Sequence, residues 1–198
     1  MELLKRRRCQ MNLKSSNNAK LTILCLFVFS SAIIGPSWAK DPIEKTGDIL
    51  LIALPASAVG LATYNFAFNK DKNGIVQYGI AALLNEGVTF ALKNSVHELR
   101  PNHHDYLSFP SGHSSTTFTA ATFMWKRYGW EYGLPAFALA SFTAYSRVES
   151  RNHYIQDVGA GAALGILSSL LFTKPFHKVN IAPVSDGKGI GVVASVSF

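Results

Sequence analysis

Cysteine is nearly absent from this chain, and the two present, Cys9 and Cys25, both fall within the first 39 residues. From Lys40 onward there is no thiol, which excludes disulfide staples and cysteine nucleophiles there and suits an oxidising compartment. Strong charge is missing from the same region. The formal net charge is +7 over 198 residues, but six of the 19 basic residues (Lys5, Arg6, Arg7, Arg8, Lys14, Lys20) and one of the 12 acidic residues (Glu2) precede Lys40. The remainder carries +2, too little for the basic stripe of a nucleic-acid binder, so no nucleic-acid partner is expected. There is no internal repeat and no low-complexity segment. At 48% hydrophobic residues the composition is high for a soluble domain and low for a chain wholly buried in lipid. The length suits one domain with appendages.

What is present begins with a leader. The basic start is followed by the apolar run Leu21 to Ile34, then Gly35-Pro36 and Ser37-Trp38-Ala39. Small residues at Ser37 and Ala39 predict a signal peptide over 1–39 cleaved after Ala39, with an uncleaved anchor as the alternative. Cys25 follows Leu24 rather than a small residue, which argues against a lipoprotein anchor.

Residues 40–178 then read as a helical domain with five patterns: Ile49 to Phe68, Ile75 to Leu92, Ser114 to Trp125, Tyr132 to Tyr145 and Val158 to Thr173. Connectors carry charges and turn residues, as in Asn69 to Gly74 and Lys126 to Gly129. Three of the patterns are shorter than the ~20 residues of a full span. Glu86 interrupts the second and is expected to turn into the bundle or pair with a cation of the motifs below. Five crossings with Lys40 outside would put Lys70, Lys72, Lys126, Arg127, Lys174 and Lys178 on the cytoplasmic side. The alternative is a soluble periplasmic helical domain. The tail, 179–198, changes period: Ile190, Val192, Ala194, Val196 and Phe198 alternate after a turn at Asp186 to Gly189, predicting a short β-hairpin.

Three stretches carry chemistry. Ser146 to Asp157 reads S-R-V-E-S-R-N-H-Y-I-Q-D, with Arg147, His153 and Asp157 just before an apolar run. If the helix begins at about His153, then His153 and Asp157 share a face one turn apart. There a carboxylate can fix the imidazole's tautomer and stabilise its charged form. Lys93 to Pro101 reads K-N-S-V-H-E-L-R-P, and continued helix would put Lys93 and Arg100 on one face. Pro110 to His113 reads P-S-G-H ahead of a hydroxyl-rich helical pattern.

Together these resemble the signature of the type 2 phosphatidic acid phosphatase and haloperoxidase superfamily: Lys, six residues, Arg-Pro; Pro-Ser-Gly-His; Ser-Arg, five residues, His, three residues, Asp. Every fixed position is filled, in order, between Lys93 and Asp157. The resemblance implies an all-α helical bundle and hydrolysis of a phosphate ester or pyrophosphate without a metal or other cofactor. By matching positions, His153 is the nucleophile oriented by Asp157, and His113 the general acid. Lys93, Arg100, Ser111, Gly112 and Arg147 are the phosphate-binding residues. Spacing alone does not say which histidine attacks. Guanidinium suits a bidentate grip on phosphate, and a helix N-terminus at Ser111-Gly112 would point N–H groups at an anion. Ser111 could equally be a plain helix cap.

The expected substrate is a phosphorylated lipid at a membrane, with the site facing the periplasm. A soluble periplasmic acid phosphatase taking small phosphate esters is the runner-up. A haloperoxidase is disfavoured by the short chain, and a non-catalytic membrane component by the intact motifs. His103, His104 and Asp105 invite a metal reading but find no partner ligand spacing elsewhere, so no metal is expected. Arg151 could hold a second phosphate or head group, or simply be solvated.

Overall fold

A computed structural model describes residues 42–176 and the backbone of 178–185 and 190–197; the expected leader and the turn 186–189 lie outside the described residues. Five helices follow one another: α1 (Pro42–Asn69), α2 (Gly74–Val96), α3 (Gly112–Tyr128), α4 (Trp130–Glu149) and α5 (Ile155–Phe172). Each predicted helical pattern lies inside one of them, except that Thr173 caps the last. The backbone of β1 (Lys178–Ser185) and β2 (Ile190–Ser197) pairs antiparallel, from Lys178 opposite Ser197 to Ser185 opposite Ile190.

Helix α3 is the axis of the bundle and packs against the other four. Its small and hydroxyl-bearing residues let neighbours come close on every side: Ser114, Ser115, Thr117, Thr119, Ala120, Ala121 and Thr122 are all buried. A buried hydroxyl needs a partner, and several are satisfied by the helix itself. Thr117 Oγ1 donates to the His113 carbonyl and Thr119 Oγ1 to the Ser115 carbonyl, each at 2.8 Å. Across the seam with α5, glycine is required by space. A Cβ at Gly161 would strike the Ser111 carbonyl, and one at Gly165 the Ser115 carbonyl. The Ser111 N–H therefore reaches the Asp157 carbonyl at 3.0 Å, and Ser114 Oγ the Val158 carbonyl at 2.9 Å. The starts of α3 and α5, each carrying a motif, are locked side by side.

Helices α1, α2 and α5, of 28, 23 and 18 residues, are long and apolar enough to cross a membrane. Large apolar side chains on them stay exposed, among them Ile52, Phe68, Leu83, Phe90 and Leu171. So much exposed apolar surface suits lipid better than water. Glu86 departs from expectation. It is exposed and accepts from Thr116 Oγ1 at 2.5 Å, so it neither enters the core nor pairs with a motif cation. Adjacent helical residues point about 100° apart. Asn85 takes the inward direction, fully buried and donating to Ser115 Oγ at 3.2 Å.

At the far end of α3 a buried ion pair closes the bundle. Arg127 donates to the Asp71 carboxylate through Nε (2.8 Å) and Nη2, and its Nη1 reaches Gln77 Oε1 and the Lys174 carbonyl at 2.8 Å. Asp71 also accepts from Tyr128 Oη and from the N–H groups of Asn73 and Gly74, at 2.9–3.1 Å.

Candidate active site

All eight residues singled out by the motifs gather at the opposite end of α3, though two arrive by a different route than their spacing implied. Helix α2 stops at Val96, where His97 adopts a left-handed conformation (φ 48°, ψ 49°). Arg100 is therefore in the following loop, not two turns beyond Lys93 on one helix. Its Nε donates to Asp105 Oδ1 at 2.7 Å, a residue outside the motifs. Lys93, in the last turn of α2, donates to the Leu107 carbonyl at 2.7 Å. A Cβ at Gly112 would lie 3.8 Å from Lys93 Cε, so the first two motifs adjoin. That is ordinary contact; protein packing alone does not demand glycine at 112.

The second departure concerns His153. Helix α5 begins at Ile155 with Tyr154 as its cap, so His153 precedes the helix. Asp157 reaches back to accept the Tyr154 N–H at 2.9 Å, which pins the turn. The same oxygen, Oδ2, accepts from the Ser108 hydroxyl and lies 3.6 Å from His153 Nδ1. That is longer than a hydrogen bond, as is common in sites that tighten on substrate binding. Ser108, unmarked in the sequence, thus holds the Asp157 carboxylate.

Ser111 occupies the helix-cap position of α3, yet its hydroxyl makes no capping bond. Ser111 Oγ, His153 Nδ1 and Asp157 Oδ1 are buried with no protein partner, three of the five such side-chain atoms among the described residues. Of the three, only the Ser111 hydroxyl can donate to an anion, and it lies at the N-terminus of α3, where helix N–H groups favour one; His153 Nδ1 and the Asp157 carboxylate face each other. Burial, then the positive charges of Arg100 and Lys93, hold the His153 imidazole down at about 4, with the Asp157 carboxylate opposing. His153 is therefore neutral near pH 7, with its ring lone pair available.

Helix α1 adds a residue that no motif contains. Asp48 Oδ1 accepts from Arg147 Nη1 at 2.7 Å and lies 3.0 Å from His113 Nε2. Arg147 is buried, and its Nη2 also donates to the Glu44 carbonyl at 2.6 Å. Close packing of α1 on α4 makes this possible: a Cβ at Gly47 would strike Ser146 Oγ. The one signal in the sequence is an isolated acid at the head of a charge-free run. His103 and His104 are exposed, and no group of three His, Cys, Asp or Glu among the described residues converges as a metal site would. Arg151 is likewise exposed.

Residues 74–181 match the PAP2 superfamily. The chain belongs to the PAP2 superfamily. Together with the named relatives below, this makes it a phosphatase. Among named relatives, a lipid A 4'-phosphatase of Helicobacter pylori is 32% identical over 145 residues, covering 68% of this chain and 71% of that one. A lipid A 1-phosphatase of Porphyromonas gingivalis is 36% identical over 136 residues, 62% of this chain but only 30% of the relative. A lipid A 1-phosphatase of Rhizobium johnstonii is 29% identical over 79% of this chain and 82% of its own. Two solved structures share the fold. Aquifex aeolicus LpxE aligns with a TM-score of 0.54 at 24% identity, covering 67% of this chain and 87% of its own. The transmembrane phosphatidylglycerolphosphate phosphatase of Bacillus subtilis aligns at 0.57 and 21%, covering 81% and 85%.

Proposed function

We propose that this PAP2 phosphatase removes a phosphate monoester from lipid A or a similar phosphorylated lipid, through a phosphohistidine on His153. Three relatives named as lipid A phosphatases support the substrate class. Their names divide between two phosphate positions, so the class is proposed and not the position. The observation that carries the chemistry is the unpartnered Ser111 hydroxyl at the start of α3, with Lys93 and Arg100 close enough to His153 to depress its imidazole and Arg147 against His113.

In the proposed reaction the ester phosphate lies against Ser111 Oγ and the Gly112 N–H, its oxygens facing the three cations. His153 presents Nδ1 to Asp157, so Nε2 attacks. The P–N bond forms as the P–O ester bond breaks, and the leaving oxygen takes a proton from His113. A water then attacks phosphorus and gives its proton to His113; the P–N bond breaks and inorganic phosphate departs. The exposed apolar faces of α1, α2 and α5 favour a membrane lipid over a small soluble ester as substrate.

We further propose that the site faces the periplasm of an exported inner-membrane protein. Lys70, Lys72, Lys126 and Lys174 are at the end away from the motifs, as cytoplasmic loops would be. A reporter inserted within Asn102 to Leu107 tests this, since activity confined to the cytoplasm would reverse it.

Phosphate release from lipid A, phosphatidic acid and p-nitrophenyl phosphate, with and without chelator, tests the function. The expected result is preference for lipid A, competitive inhibition by vanadate and indifference to EDTA. Turnover of small esters alone would favour the soluble-type activity. Loss on chelation, restored by zinc or magnesium, would overturn the scheme and turn attention to His103 and His104.

A further inference from the structure

The motif residues do not account for all the charge at the site. Asp48 Oδ1 sits between the proposed acid, His113 (Nε2 at 3.0 Å), and the proposed phosphate ligand, Arg147 (Nη1 at 2.7 Å), which are themselves 3.4 Å apart. Two cations or potential cations this close repel unless an anion lies between them. Removing the anion would leave Arg147, whose side chain is 3% exposed, without its carboxylate partner, and would drive the imidazole beside it toward neutrality. Arg147 is otherwise held by neutral groups, Ser146 Oγ at 3.1 Å and the Glu44 carbonyl at 2.6 Å. Asp48 is partly open to solvent at 36%, so it can stay ionised.

We propose that Asp48 is a positioning residue of the reaction, one that lies outside all three motifs and acts through His113 and Arg147. This rests on the phosphatase scheme above. Burial first, then Arg147, hold the His113 imidazole below its ordinary range; by accepting from Nε2 the Asp48 carboxylate opposes both, fixing the ring and favouring its cationic form, which leaves Nδ1–H to protonate the departing ester oxygen. His113 loses that proton to the leaving group in the first step and regains one from water in the second; Asp48 stays a carboxylate throughout. Its second contact holds the Arg147 guanidinium in one plane against α1. The arrangement is that of an acid–orienter pair, with the orienter supplied by a different helix from any motif. The charged groups that face His113 are Asp48 from α1, Arg147 from α4, and Arg100 from the loop after α2.

The test is Asp48→Asn in the full-length enzyme in detergent, assayed on two substrates. One is an alkyl phosphate, whose leaving oxygen needs a proton; the other is p-nitrophenyl phosphate, whose leaving oxygen hardly does. The expected result is a kcat lowered by about 10- to 100-fold on the alkyl phosphate and by less than about threefold on the aryl ester, an effect in the range of general acid catalysis. The asparagine Oδ1 can still accept from Arg147 Nη1, so KM and the vanadate inhibition constant should stay within about threefold. Because both rates come from one preparation, partial misfolding cancels from their ratio, and Asp48→Glu, which restores the charge, should recover part of it. Equal loss on both substrates would reduce Asp48 to a structural role. Unchanged kcat with vanadate binding at least tenfold tighter would show instead that Asp48 merely occupies the phosphate site in the free enzyme. If the wild type releases phosphate from neither substrate nor from lipid A, it is the phosphatase scheme that fails. An active wild type with an unchanged ratio in the variant sinks the role of Asp48 alone.

Discussion

The two ends of α3 solve opposite problems with similar residue types. At its C-terminal end Arg127 and Asp71 are almost wholly buried, and the arginine's neighbours consume its donors one by one. At its N-terminal end the buried polar groups are incompletely answered: Ser111 Oγ, His153 Nδ1 and Asp157 Oδ1 wait for a partner. A satisfied buried ion pair fixes geometry, whereas an unsatisfied group carries a desolvation penalty, which a bound phosphate relieves at Ser111 Oγ and closure of His153 Nδ1 on Asp157 relieves at that pair. One end is therefore read as structure and the other as site, on hydrogen bonding alone. The contrast can be broken by substitution, because it assigns rate to one end and stability to the other.

The largest effect should follow loss of His153. With the proposed nucleophile gone, His153→Ala should lower kcat by at least about 10⁴-fold on lipid and aryl substrates alike, equivalent to about 5.5 kcal/mol. Its melting temperature should hardly move. Residual turnover above that level, or single inversion at a chiral phosphate, would show that water attacks directly. Next comes the closed end. Arg127→Met leaves the buried Asp71 carboxylate without its cation, held only by Tyr128 Oη and the N–H groups of Asn73 and Gly74, and should destabilise the bundle by about 3–5 kcal/mol. The double variant Asp71→Leu/Arg127→Met should recover most of that, while phosphate release per folded molecule stays near wild type. Thermal unfolding in detergent measures both. A double variant no better than the single one would mean that the pair does more than balance charge.

Ser111→Ala sharpens the comparison at a smaller scale. It removes a buried hydroxyl that has no protein partner, so the fold should gain about 1 kcal/mol. Phosphate binding loses a donor, so kcat/KM should fall by about 10- to 100-fold, or ~1.4–2.8 kcal/mol. Stability and activity moving in opposite directions is the signature of a site group. A loss of both would return Ser111 to the rank of helix cap.

How much of this was legible in the sequence differs between elements. The five helices were, because apolar runs of helical length separated by charged turns leave few alternatives. The site's membership was also legible from motif order, but its geometry was not. Spacing implied that Lys93 and Arg100 ride one helix, yet the left-handed His97 ends α2 between them. It implied that His153 lies on a helix with Asp157, yet the carboxylate is spent on capping the turn that His153 precedes. Asp48 and Ser108 were invisible for another reason. They reach the site across 65 and 49 residues, to His113 and Asp157, and single acids or serines announce nothing locally. Glu86 was misjudged because its neighbour Asn85, the weaker polar group, takes the buried face.

The smallest effect concerns the charges that surround His153. Burial first, then Arg100 and Lys93, hold its imidazole near 4, with Asp157 pulling the other way and His113 adding to the depression. An unfolded histidine titrates near 6.5, so between those values the unfolded chain binds a proton that the folded site refuses. Acid therefore destabilises the empty site through this group as the pH falls from about 6.5 toward 4, and above 6.5 it imposes no such penalty. For activity the same depression keeps the nucleophile's lone pair free, so His153 should not limit kcat/KM until the pH is below about 5. Arg100→Gln removes the larger of the two nearby charge effects. The acid limb of the rate profile should then move upward, by less than about one unit, or ~1.4 kcal/mol. A phosphate monoester has its own ionisation near 6. That ionisation is common to both enzymes, so the difference between variant and wild-type profiles isolates the imidazole. Nuclear magnetic resonance of the labelled His153 ring gives the same quantity without substrate. An acid limb that stays put or moves down would mean that Arg100 acts on the phosphate alone and leaves the charge state of the nucleophile to burial.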